Sequence, residues 1–99
     1  MSSDPVDLRQ LRIFLAAAEL KTFARAAKMI GVTPSAVSQT VATLEKDLGT
    51  ALFERDARPL RLTAAGRRLA ADGAPLINAA AALRERVTSK DTWTKNKDG

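Results

Sequence analysis

Apolar residues recur at helical spacing through the first half of the chain, switch briefly to alternation, and then return to helical spacing. Leu11, Phe14, Leu15 and Ala18 fall three or four positions apart and predict a helix from Leu8 to about Leu20. Asp7 stands before it as an N-cap, and Asp4-Pro5 would allow a start one turn earlier, since proline is tolerated at the first helical position. Phe23, Ala26, Ala27 and Ile30 form a second stripe, opened by Thr22 and closed by Gly31. Glycine suits that end because it reaches positive φ without steric cost. Only Val32 then precedes Thr33-Pro34, a hydroxyl cap followed by a residue with fixed φ and no N–H to leave unpaired. Val37, Val41, Leu44 and Leu48 mark the inward face of this third helix, and Gly49 ends it.

The period then changes. Leu52-Phe53-Glu54-Arg55 and Pro59-Leu60-Arg61-Leu62 are short extended segments flanking Asp56-Ala57-Arg58, with Leu60 and Leu62 on one side and Arg61 on the other. They predict a small hairpin. Thr63 caps a long helix from Ala64 to about Val87. Pro75 removes one of its backbone hydrogen bonds and predicts a kink, and Gly73 weakens the same turn, so two shorter helices are the alternative. From Thr88 to Gly99 the sequence is polar and aperiodic, as a frayed tail would be.

Residues 22–48 carry the strongest local signal. A small residue at Ala27 lets two helices cross closely, Gly31 permits a sharp turn, and the β-branched Val37 wedges into the angle between them. That is the mechanics of a helix-turn-helix, whose second helix enters the DNA major groove. With Val37, Val41, Leu44 and Leu48 inward, Ser35, Gln39, Ala42 and Lys46 lie opposite, flanked by Ser38 and Thr43. Gln pairs bidentately with adenine, Ser and Thr reach bases or phosphates, and the positive end of the helix dipole points the same way. The bland interpretation is a helical hairpin whose solvent side happens to be rich in Ser and Gln. Against it, the first two turns carry far less Lys and Glu than exposed helices usually do. The expected fold is mainly α: a winged helix-turn-helix over residues 1–63, with three helices and a small β-hairpin wing, then a linker helix at 64–87 and a tail at 88–99.

Composition sharpens this picture by exclusion. The 99 residues carry 16 Lys and Arg against 11 Asp and Glu, a formal charge of +5. Such an excess attracts polyanions, nucleic acid first and an anionic membrane surface second. Cys and His are both absent, which removes thiolate chemistry, the commonest general base and the commonest zinc ligand. Neither clustered carboxylates nor a phosphate loop replaces them, so no catalytic residue, metal or cofactor is expected. No apolar run approaches the roughly 20 residues of a membrane span, and the N-terminus lacks the features of a secretory signal. The cytoplasm is the expected compartment, with no membrane partner.

Six stretches, in order, resemble the N-terminal DNA-binding domain of LysR-type transcriptional regulators over Leu8 to about Val87. They are Asp7-Leu8-Arg9-Gln10-Leu11, Thr22-Phe23-Ala24-Arg25-Ala26-Ala27, Thr33-Pro34-Ser35-Ala36-Val37-Ser38-Gln39, Leu44-Glu45-Lys46-Asp47-Leu48-Gly49, Leu52-Phe53-Glu54-Arg55 and Leu62-Thr63-Ala64-Ala65-Gly66. The resemblance implies that Thr33 opens the recognition helix, with Thr33, Pro34, Ser35, Ser38, Gln39 and Ala42 nearest the DNA. It implies backbone contacts from Thr22 and Arg25, and from Arg55, Arg58 and Arg61 on the hairpin, which would be the wing. An ion pair of Arg55 with Glu54 or Asp56 is the competing expectation. The sequence departs from the family's commonest pattern at Pro34, where a polar residue, often Gln, is usual; the expected readout shifts towards Ser35 and Gln39.

The long helix repeats a seam, Leu69, Gly73, Leu76, Ala80, Leu83 and Val87, in alternating steps of four and three. This face either packs on the first helix or pairs with another chain. A helix of this length outruns the small body it leaves, and the family resemblance implies dimerisation here. The expected partners are therefore double-stranded DNA carrying an inverted repeat and a second copy of the chain. The resemblance also implies a much larger ligand-sensing domain after this helix, with higher oligomers depending on it; the 99 residues carry none. A different class of function is a short helical module that pairs through Leu69–Val87 with a full-length regulator. The DNA-binding end of a molybdate-responsive regulator would share the winged fold.

Overall fold

The computed structural model describes residues 6–89, so the Asp4-Pro5 start and most of the expected tail lie outside the described residues. Four helices follow one another: α1 (Leu8–Leu20), α2 (Phe23–Ile30), α3 (Pro34–Leu48) and α4 (Ala64–Thr88). Each N-terminus is capped by the side chain the sequence supplies. Asp7 Oδ1 accepts from the amides of Arg9 (2.9 Å) and Gln10 (3.2 Å), Thr22 Oγ1 from Arg25 (3.0 Å), and Thr33 Oγ1 from Ala36 (3.1 Å). At α4, Thr63 Oγ1 accepts from the Gly66 amide at 3.0 Å and donates to the Ala51 carbonyl at 2.6 Å.

α1 is the centre of the domain, packed by α2, α3 and α4 together. Its buried surface is accordingly wider than one stripe: Leu11, Ile13, Phe14, Ala16 and Ala17 are buried, while Leu15 and Ala18 are half-covered on the side shared with Ala70, Ala74 and Ile77 of α4. Against it lie the alanines of α2, Ala26 and Ala27, whose single methyl groups allow close crossing. Val37 is fully buried, as the wedge position requires. Leu48 is not: it is 48% exposed, because α3's last turn projects beyond the packed helices and nothing from Glu45 to Thr50 is fully buried.

The segment after α3 returns into the core. Leu52 is fully buried, and the Phe53 ring sits 5.5 Å from Phe14 and 6.1 Å, edge-on, from Phe23. All three phenylalanines of the chain therefore meet at one point, and burying side chains of this size stabilises by roughly 1.5–3 kcal/mol each. The expected hairpin is reduced to a single antiparallel bridge, Phe53 to Leu62, with Glu54 N–H donating to the Arg61 carbonyl at 2.8 Å. Pairing goes no further for a local reason. Pro59 has no N–H, and the Leu60 amide donates to the Lys21 carbonyl of the α1–α2 turn, at 2.9 Å, instead of across the hairpin.

α4 runs unbroken through Pro75, so the alternative of two helices does not hold. Thr88, expected in the tail, is its last residue and Ser89 its C-cap. Gly66 lies where α4 crosses the chain entering at Leu52: a Cβ there would strike the Leu52 carbonyl oxygen and stand 2.9 Å from Leu62 Cδ2. The obstacle is backbone, which cannot step aside cheaply. Gly31 differs, with φ of 92° and open space around it. Gly66→Ala should therefore cost about 3 kcal/mol of stability, against roughly 1 kcal/mol for Gly31→Ala, compared by denaturant unfolding of both variants. Equal losses would contradict the crossing geometry.

Candidate nucleic-acid interface

The turn between α2 and α3 is built from two amides sharing one acceptor. Gly31 N–H and Val32 N–H both donate to the Ala27 carbonyl, at 2.8 and 3.0 Å, and Gly31 occupies the left-handed region. Two residues later Thr33 caps α3. The helices are thus two distinct segments set at an angle by the buried Val37.

On α3, Thr33, Pro34, Ser35, Ser38, Gln39 and Ala42 are all exposed, so the side expected to probe DNA is not covered by the domain's own described atoms. Pro34, Ser38 and Ala42 form one row at four-residue spacing, and Ser35 and Gln39 a second beside it. Neither row carries a formal charge. Arg25, Arg55, Arg58 and Arg61 are exposed, and Thr22, half-buried, accepts the Arg25 amide as the α2 cap. Ser38 and Ala42 also line an open groove of about 580 Å³ whose other wall is the wing, with Arg55 and Arg58 on it.

The wing arginines are not equivalent. Arg61 lies 3.6 Å from Glu54, with both side chains largely in solvent, a weak pairing. Arg25, Arg55 and Arg58 make no ion pair among the described residues. The carboxylate pairing considered for Arg55 falls instead on Arg61.

Two residues that periodicity did not single out shape this surface. Lys21, at φ of 66°, ends α1 in the left-handed region and donates its amide to the Ala17 carbonyl at 2.8 Å; its own carbonyl receives the wing's Leu60 amide. Glu45, on α3, accepts from the amides of Leu52 (2.7 Å) and Phe53 (3.3 Å) through one carboxylate oxygen. An acidic residue at the edge of the buried stripe was the only sequence hint of that bond.

The seam on α4 divides in two. Leu69 packs against the domain's own core, and Gly73 is buried where a Cβ would come within 2.8 Å of Leu11 Cδ1. Leu69 is partly buried, one side of it on the domain's own core. Beyond it Leu76, Leu83 and Val87 are 49%, 55% and 66% exposed, with Ala80 half-covered. Among the described residues no helix is long and apolar enough to cross a membrane, and no group of three or more acidic or other ligating side chains is placed to hold a metal.

Comparison with known proteins agrees with this geometry. The profile of bacterial regulatory helix-turn-helix proteins of the lysR family matches residues 8–67. The SDS degradation transcriptional activation protein of Pseudomonas sp. is 41% identical over 85 residues, covering 86% of this chain and 28% of that protein. The HTH-type transcriptional regulator IlvY of Escherichia coli is 47% identical over 64 residues, covering 65% of this chain and 22% of its own length. The chain thus spans less than a third of these relatives. Among solved structures, the DNA complex of the CbnR DNA-binding domain superposes with a TM-score of 0.75 at 35% identity, over 83% of this chain and 94% of that one. Vibrio fischeri DarR in complex with DNA gives 0.80 at 28% identity, over 91% of this chain and 31% of DarR.

Thr33 offers a test that separates stability from binding. Thr33→Ala should cost about 1 kcal/mol by removing the cap. Thr33→Asp should restore that stability, since a carboxylate caps as well as a hydroxyl, while weakening duplex binding, because it adds a negative charge that repels a polyanion. Thermal melts and binding titrations on both variants would show whether the two properties part company.

Proposed function

Because the chain belongs to the lysR family of bacterial regulatory helix-turn-helix proteins, we propose that it is the sequence-specific DNA-binding domain of a transcription regulator, acting as a dimer on an inverted repeat. The carrying observation is the pair of exposed, uncharged rows on α3 (Pro34, Ser38 and Ala42; Ser35 and Gln39), with Arg55 and Arg58, which make no ion pair among the described residues, across the groove that Ser38 and Ala42 line. Gln39 and Ser35 supply hydrogen bonds to base edges, Ser38 and Thr33 reach bases or phosphates, and Pro34 and Ala42 offer apolar contact. Arg25, exposed on α2, and Arg55 and Arg58 on the wing neutralise phosphates. Arg61 contributes less, since Glu54 shares its charge. The protein acts by binding alone, without catalysis, in the cytoplasm.

Dimerisation falls to the outer half of α4, where Leu76, Leu83 and Val87 present apolar surface that the domain leaves uncovered. Two copies paired there would carry two recognition helices to half-sites about one turn of DNA apart, or a multiple of it.

Selection of bound sequences from random duplexes should return a two-fold-symmetric motif. Gln39→Ala should then cost on the order of 1–3 kcal/mol at one position of each half-site, whereas Arg25→Ala should weaken all sequences alike and lower the salt slope by about 1. Identical behaviour of the two variants would overturn this division of labour. Leu83→Glu should shift sedimentation towards monomer and weaken binding to the full repeat far more than to one half-site.

A further inference from the structure

Outside the α3 face and the arginines, Glu45 stands out because one of its carboxylate oxygens accepts two backbone amides and, among the described residues, no cation pairs with it. Its Oε2 receives two consecutive amides, Leu52 at 2.7 Å and Phe53 at 3.3 Å. Those amides belong to the root of the wing, where both side chains are buried and Phe53 meets Phe14 and Phe23. Among the described residues, no other hydrogen bond joins the wing segment to α3. Within itself the wing is held by one bridge, and it is tied elsewhere to the α1–α2 turn through Leu60 and Lys21. Burial of Leu52 and Phe53 holds the wing root in the core, and among the described residues Glu45 is the one hydrogen-bonding tie that sets its orientation against α3.

The register of that bond matters. Glu45 lies one turn beyond Ala42, on the helix that carries Pro34, Ser38 and Ala42, and Arg55 follows Phe53 by two residues. The groove between them has Ser38, Ala42 and Glu45 on one wall and Arg55 and Arg58 on the other. Resting on the DNA-binding function proposed above, we propose that Glu45 is a positioning residue that locks the wing to the recognition helix, so that the wing arginines and the α3 face engage one duplex as a single rigid surface. Amides pointing at a carboxylate give a strongly directional bond, and two from successive residues fix both the distance and the rotation of the strand they come from. Without it, the wing root stays anchored by Leu52 and Phe53, but the rotation of the segment carrying Arg55 and Arg58 against α3 loses its directional restraint and must be fixed, at an entropic cost, in each encounter with DNA.

The test is a double-mutant cycle on the 99-residue chain, read by duplex binding at several salt concentrations on the selected motif. In the wild type, Arg55→Ala with Arg58→Ala should weaken binding at least tenfold and reduce the salt slope by nearly 2, at about 0.9 for each phosphate no longer neutralised. In a Glu45→Ala background the slope should already be lowered, and the same two substitutions should change affinity by less than threefold. Gln39→Ala should keep its full, position-specific loss in that background, which a general unfolding would not allow. Glu45→Asp retains the charge but withdraws the oxygen by one carbon–carbon bond, so it should behave like Glu45→Ala; it also serves if the alanine variant does not fold. Glu45→Gln keeps an acceptor and should keep the coupling. Wing substitutions that cost the same with and without the Glu45 carboxylate overturn the proposal, as do wing substitutions silent in the wild type. A wild-type chain that binds no duplex overturns the DNA-binding function as well.

Discussion

Two amides converging on the carbonyl of Ala27 decide how this domain presents itself. They end α2 and force the chain to re-enter a helix within three residues, at an angle that Val37 then fills. The turn is so short that the outward face of α3 is set directly by the packing of α2 and α3 on the core. Ala26 and Ala27 carry the same constraint inward, because larger side chains would push α2 off α1 and rotate α3 with it. A surface that must match a duplex over several contacts gains from such rigidity, since little ordering entropy is left to lose on binding.

The second organising element is the return of the chain to the core directly after α3. Leu52 and Phe53 anchor the wing by burial rather than by sheet hydrogen bonding, which explains how so short a pairing holds its place. The same return forces Gly66, because α4 crosses the Leu52 carbonyl with no room for a side chain. Core packing and the placement of the charged wing tip are therefore one problem solved by adjacent residues.

Much of this was legible in the sequence because it is local. Asp7, Thr22, Thr33 and Thr63 cap the helices they precede, and Gly31 and Gly49 end theirs in the left-handed region, all matters of a few neighbouring residues. The outward face of α3 followed from helical period alone. What escaped depends on the meeting of distant segments. Periodicity assigns Leu48 inward, but only the packed structure shows that α3 outlasts its neighbours. Alternation suggests strands at 52–62, yet the Leu60 amide is claimed by Lys21, far earlier in the chain. The seam from Leu69 reads as one heptad stripe, and only the position of α1 divides it into a half used internally and a half left bare. Glu45 was under-read for the same reason: beyond its place at the edge of the buried stripe, nothing near it in sequence advertises two amides arriving from the next segment.

The continuity of α4 has a mechanical corollary. From Gly73, where it rests on Leu11, the helix projects a further fourteen residues to Val87, about 21 Å at the rise of an α-helix. A rod of that length is a lever: a tilt of some ten degrees at its fulcrum sweeps the far end by roughly 4 Å, the scale of one base-pair step. In a dimer of the kind proposed, a small rotation imposed on the free end would swing the reading head along the duplex, and the stiffness of one helix would set how finely the separation between two such heads is governed.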